Sequence, residues 1–96
     1  ELGGFRVEVI GMPAYSREAV LYRIGNLVFT GDVLTAGKVG SVPDTFSRTL
    51  LIQRLRQHLS HWDPDTILFP GYGPPSKVGV ELELNPDLNE PRISTP

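Results

Sequence analysis

Between Phe46 and Trp62 the apolar residues Leu51, Leu55, Leu59 and Trp62 recur at spacings of four, four and three. That rhythm sets them on one side of a helix turning once in about 3.6 residues. Leu50 and Ile52 widen the stripe, while Thr49, Gln53, Arg56, Gln57 and Ser60 fall opposite. A helix that is apolar along one side must lay that side on another element, and the flanking runs read as strands. The pattern therefore predicts an α/β chain, with a long helix over about 46–61 lying on a sheet. Asp44 or Thr45 is placed to cap it, since either side-chain oxygen can accept an unpaired first-turn N–H. Asp63-Pro64 ends it, because a residue before proline is pushed out of the helical region.

The strands are predicted at about 5–12, 19–24, 27–31 and 66–69, in a mostly antiparallel sheet. In the first, Phe5, Val7 and Val9 alternate with Arg6 and Glu8, as in a strand with one side buried. Gly25-Asn26 separates the second and third and marks a tight hairpin. The glycines and prolines of Gly31 to Thr45 read as loop, and Pro70-Gly71 stops the fourth strand. Lys77 to Leu84 is ambiguous. Val78, Val80, Leu82 and Leu84 alternate like a strand, whereas Ser76 before them and Asn85-Pro86 after them look like helix boundaries. The tail from Asp87 onward reads as loosely held.

Composition closes off several classes. Ninety-six residues suffice for one modest domain, and 40% apolar with 21% charged is a globular balance. Nine Lys and Arg against eleven Asp and Glu leave a net charge of -2, which offers no footprint for nucleic acid and no cationic face for a membrane. No apolar run approaches bilayer length, and no charged-then-apolar leader is expected, so the cytoplasm is the default compartment. The absence of cysteine excludes disulfide scaffolds, thiol nucleophiles and Cys-based metal sites. The sequence opens on Glu1 rather than methionine and reads as a piece of a longer protein.

Three short motifs then occur in a telling order. Met12-Pro13-Ala14-Tyr15-Ser16 follows the first strand, Phe29-Thr30-Gly31-Asp32 ends the hairpin, and Phe69-Pro70-Gly71-Tyr72-Gly73-Pro74 follows the long helix. With Glu81 and Asn85-Pro86 closing the chain, this series resembles the C-terminal half of the metallo-β-lactamase superfamily. Its nearest branch is the hydroxyacylglutathione hydrolases of the glyoxalase II type. The resemblance covers about residues 7–88. It implies half of an αββα sandwich over 1–88, a flexible tail over 89–96, and a short helix at about 77–84. It also implies that three metal-ligand positions fall in this chain. Asp32 matches the bridging aspartate, and Tyr15 and Tyr72 stand where the family has histidines. Lys38 and Ser41 belong to a loop that in the family lies beside the metals, and the Arg-Thr-Asp expected there is replaced by Ser41-Val42-Pro43.

Those departures bear directly on chemistry. Imidazole offers a neutral lone pair at pH 7, while a phenol must first lose a proton with a pKa of about 10. The chain's histidines, His58 and His61, lie three apart on the predicted helix, a spacing that could clip a metal but more commonly marks a partly solvated side next to Trp62. Two arrangements are open for Asp32: hydroxyls of Tyr15 and Tyr72 donating toward it, directly or through water, or its own bonding to backbone N–H groups of Gly31 to Gly40. A phenolate can bind a harder ion such as ferric iron, so a Tyr15/Asp32/Tyr72 ferric site is conceivable, although most oxygen-rich triads of this kind are only hydrogen-bonded. The reading that follows is a non-catalytic domain with a degenerate metal site and no cofactor in this chain. Its alternative is the C-terminal part of a zinc or iron hydrolase of thioesters or esters, with its histidines supplied by a missing N-terminal half. In either case one sheet side needs a cover: the N-terminal half, a homodimer mate or another protein chain.

Overall fold

The computed structural model describes residues 6–89. β1 (Val7–Gly11), β2 (Val20–Ile24) and β3 (Leu27–Gly31) are joined antiparallel, with Val9 opposite Tyr22 and Tyr22 opposite Phe29. Gly25-Asn26 makes the β2–β3 reversal, where Gly25 takes φ +57°, a left-handed value that glycine adopts without a Cβ penalty. Beyond β3 the expected plain loop holds a second small hairpin, β4 (Leu34–Thr35) and β5 (Lys38–Val39). Ala36-Gly37 is its two-residue turn, with Gly37 at φ +79°. Leu34 and Val39, the opposed pair, are both buried, and their apolar contact draws an otherwise turn-rich segment into pairing.

α1 (Thr45–His61) follows within a residue of its predicted start. Asp44 is the cap: its Oδ1 accepts the Ser47 N–H at 2.7 Å and its Oδ2 the Ser47 hydroxyl at 3.0 Å. Leu51, Leu55 and Leu59 are buried, as the stripe requires. The helix carries the chain across the sheet, so β6 (Ile67–Pro70) runs parallel to β3 with Phe69 opposite Phe29. β7 (Ser76–Lys77) returns antiparallel and α2 (Val78–Leu84) follows directly, giving the sheet order β1-β2-β3-β6-β7. The ambiguous stretch is thus a helix behind a two-residue strand. Ser76 does not cap it, because its hydroxyl donates to the Glu81 side chain at 2.5 Å.

The core forms where α1 meets one side of the sheet. Ile10, Leu21, Val28 and Leu68 share a buried cluster with the three helix leucines and with Val78 of α2. This reverses the side expected for β1. Ile10 is the buried residue, while Val9 is 59% exposed. Alternation misled because both sides of these strands are apolar. On the side away from α1, Val9, Tyr22, Phe29 and Phe69 stand abreast across four strands. The start of the tail also departs from expectation. Leu88 is 1% exposed, the Asn85 side chain accepts the N–H groups of Asp87 at 2.8 Å and Leu88 at 3.1 Å, and Arg56 donates to the Leu88 carbonyl at 3.0 Å. Phe5 and residues 90–96 lie outside the described residues. Among the described residues no helix is long and apolar enough to cross a membrane.

Candidate functional site

Three turns at one end of the sheet, with the β4–β5 hairpin, border an open cavity of about 300 Å³, lined by Tyr15, Asp32, Thr35, Lys38, Val39, Gly40, Ser41 and Tyr72. The turn after β1 carries Tyr15. Its base is Met12, 1% exposed, whose N–H donates to the Ala19 carbonyl at 2.8 Å and whose carbonyl accepts the Tyr15 N–H at 3.0 Å. Asp32 follows β3 at Gly31, where φ is +54°. Thr30 secures this corner: its hydroxyl donates to the Leu34 carbonyl at 2.6 Å, and its own carbonyl accepts the Val33 N–H at 3.0 Å. The Gly71 N–H donates to the Gly31 carbonyl at 2.9 Å, so the loop bearing Tyr72 starts beside Asp32.

Two glycines mark how tightly these turns meet. A Cβ on Gly40 would come within 2.5 Å of both the Asp32 carbonyl oxygen and Cε1 of the Tyr15 ring. At Gly71 a Cβ would lie 3.5 Å from Oδ1 of Asp32. Tyr15, Asp32 and the β6–β7 loop are therefore neighbours through Gly40 and Gly71. Tyr15 is half-buried, whereas Tyr72 is 65% exposed at the rim.

All five residues singled out in the sequence, Tyr15, Asp32, Lys38, Ser41 and Tyr72, line this one cavity. Among the described residues no direct hydrogen bond joins Asp32 to a tyrosine hydroxyl or to an N–H of residues 31–40. Asp32 is exposed, so water hydrates its carboxyl group and no internal donor is required. His58 and His61 lie elsewhere, on α1. His58 stacks on Trp62 with ring centroids 5.9 Å apart, and Nδ1 of His61 lies 2.7 Å from the Gln57 carbonyl oxygen. Burial holds the His58 pKa below its ordinary value, assisted by Arg54 and His61 and opposed by Glu8. Val39 and Gly40 belong to the loop of residues 36–40 that the resemblance set beside the site, whereas Thr35 is a cavity residue that sequence reasoning missed, as it missed the hairpin itself. The signal was present in Ala36-Gly37 between two short apolar-containing pairs, the same kind of pattern that revealed the Gly25-Asn26 hairpin.

The cavity presents hydroxyls, one ammonium group and one carboxyl group. Among the described residues no three His, Cys, Asp or Glu side chains gather as a metal cradle. Hydrogen bonding and charge pairing are thus the interactions these walls supply.

No family model matches the chain. An uncharacterised protein of Mycobacterium tuberculosis is 30% identical to it over a 97-residue alignment, covering 92% of this chain and 43% of that protein. Hydroxyacylglutathione hydrolase GloC of Haemophilus influenzae is 31% identical over 94 residues, covering 93% and 43%. Among solved structures, TTHA1623 in a di-iron-bound form matches with a TM-score of 0.72 and 34% identity, over 90% of this chain and 43% of that one. The BLEG-1 B3 metallo-β-lactamase matches at 0.78 and 29% identity, over 92% and 44%. ETHE1 from Myxococcus xanthus, at 0.79 and 23% identity over 90% and 40%, is a likeness of fold. The chain spans less than half the length of these relatives, and its sheet and two helices make up half of a metallo-β-lactamase fold.

Proposed function

We propose that this chain is the C-terminal half of a metallo-β-lactamase-like domain whose metal site has degenerated, and that it serves a non-catalytic role in scaffolding, partner contact or regulation. The observation that carries this reading is the donor set of the cavity: Tyr15, Asp32 and Tyr72, without an imidazole. By resemblance these residues stand at ligand positions. A pair of divalent ions needs neutral nitrogen or anionic oxygen donors at pH 7, and only Asp32 of the three supplies one readily. The residues present therefore do not fit a zinc or di-iron centre, and no metal-dependent step is assigned to them.

The apolar side of the sheet belongs to the same reading. Val9 is 59%, Tyr22 46% and Phe29 41% exposed, and contiguous apolar surface of this kind marks a contact face. The relatives are more than twice as long as the stretch matched here. We take the N-terminal half of the same sandwich as the cover, ahead of a second copy or another chain.

One observation favours a second reading. The 31% identity to GloC aligns this chain with a named hydrolase. In that reading residues outside this stretch supply the histidines, Asp32 adds one ligand, and a thioester or ester is cleaved. Metal analysis of the intact protein, with a thioester hydrolysis assay, separates the two. The non-catalytic reading expects substoichiometric zinc and iron and no turnover. It further expects that replacing Tyr15 and Tyr72 together by histidine raises zinc affinity. Stoichiometric metal with turnover in the unaltered protein establishes the hydrolase.

A further inference from the structure

Glu81 is 4% exposed, which is unusual for an acidic side chain, and each of its oxygens is engaged. Oε1 accepts the Gly37 N–H at 2.9 Å and the Asn85 side-chain amide at 2.8 Å, and Oε2 accepts the Ser76 hydroxyl at 2.5 Å. These donors come from the β4–β5 turn, from the end of α2 and from β7. Six residues on, Asp87 grips the same hairpin from a second point. Its Oδ2 accepts the Val39 N–H at 2.8 Å, and its Oδ1 lies 3.2 Å from an Arg48 nitrogen on α1.

The hairpin needs such support. It pairs only Leu34 with Val39 and Thr35 with Lys38, and an isolated two-stranded ribbon is marginal in water. Yet it supplies Thr35, Lys38 and Val39 to the cavity, and the next residue, Gly40, meets the Tyr15 ring and the Asp32 carbonyl. A buried acidic group is costly unless fully paired, and an apolar residue would fill the space at less cost. What an apolar residue cannot do is accept the Gly37 N–H and fix the turn in place.

We propose that Glu81 and Asp87 are positioning residues: from the C-terminal segment they clamp the β4–β5 hairpin, and so set where the Lys38–Gly40 wall stands against Tyr15 and Asp32. This holds whichever occupant the cavity takes and does not rest on the state of the metal site. Removing either grip loosens the wall while the α1-facing core stays intact.

The test is residue-resolved amide exchange and aromatic NMR on the intact protein and on Glu81→Ala, Glu81→Gln and Asp87→Ala. In both alanine variants the Gly40 N–H, which donates to the Val33 carbonyl at 2.7 Å rather than to either acid, should exchange at least about tenfold faster. The Tyr15 ring signals should shift in both. Val28 and Leu68, in the sheet centre, should keep their protection. Glu81→Gln, which retains an acceptor for Gly37, should restore Gly40 and Tyr15 to near their original behaviour. The proposal is overturned if only the Gly37 or Val39 amide responds while Gly40 and Tyr15 do not. It is equally overturned if Gly40 accelerates only in step with Val28 and Leu68, since that is a general loss of stability. Should Glu81→Ala not fold, Asp87→Ala, altering a side chain that is 25% exposed, decides between the same outcomes.

Discussion

Two glycines three positions apart, Gly37 in the β4–β5 turn and Gly40 just past β5, are required for different reasons, and substitution can tell them apart. Gly37 has open space around a would-be Cβ but a φ of +79°, so its need is conformational. Gly40 has no such φ, yet a Cβ there would strike the Asp32 carbonyl oxygen and the Tyr15 ring. Asparagine tolerates the left-handed region better than most residues, so Gly37→Asn should cost no more than about 1 kcal/mol. Gly40→Ala should cost roughly 1–3 kcal/mol, because the ring can turn aside but a backbone carbonyl cannot. Urea denaturation gives the ranking, and equal losses at the two positions would refute the steric account. At the opposite end of α1, His58 offers a pH readout. Burial first, then Arg54, lowers its pKa in the fold. The unfolded chain therefore takes up a proton more readily, and the contribution of His58 is complete above the ordinary histidine pKa of about 6.5. It is lost as pH falls from there through the lowered folded value. Stability measured across that acidic window should fall less steeply in His58→Gln than in the unaltered protein.

At the scale of elements, α1 carries the clearest energetic expectation. Leu55 is fully buried at the middle of the helix, so Leu55→Ala should cost about 2–5 kcal/mol, against about 1 kcal/mol for Asp44→Ala at the cap. Calorimetry that finds the cap more costly than the core would count against the packing described. The same helix shows what a sequence can and cannot convey. Its start, end and buried side follow from periodicity and capping because all three depend on residues within a turn of one another. Tyr15, Asp32 and Tyr72 were found by motif order, and the three turns do bring them to one cavity. What stayed hidden depends on distant partners. The hairpin of Leu34–Val39 is held by Glu81 across 44 positions and by Asp87 across 48, and no local pattern announces such bonds. The exposure of Asp32 was equally illegible, since it is set by how far three separate turns stand apart.

For the molecule as a whole, the unresolved tension is a sheet that is apolar on both sides but packed by helices on one. β1 makes the point in miniature: Ile10 goes under α1, and Val9, next to it, faces away at 59% exposure. Sequence alternation could not choose between the sides because a strand that is apolar on both carries no polar side to give the register away. Val9 and Tyr22 are cross-strand partners on the uncovered side, so their behaviour reports on what lies over it. If that side is open to solvent in the intact protein, Val9→Lys and Tyr22→Lys are surface changes, and each should alter stability by no more than about 0.5 kcal/mol. If the N-terminal half of the sandwich covers it, each places an ammonium group in an apolar interface. The loss should then be on the order of 2 kcal/mol or more, comparable with a core truncation. Urea midpoints of the intact protein carrying each lysine, set beside Leu55→Ala as the core standard, distinguish these cases. A concentration-independent loss is expected for a cover within the same polypeptide. A loss that shrinks when the protein is diluted would assign the cover to a second chain, whose association each lysine had weakened.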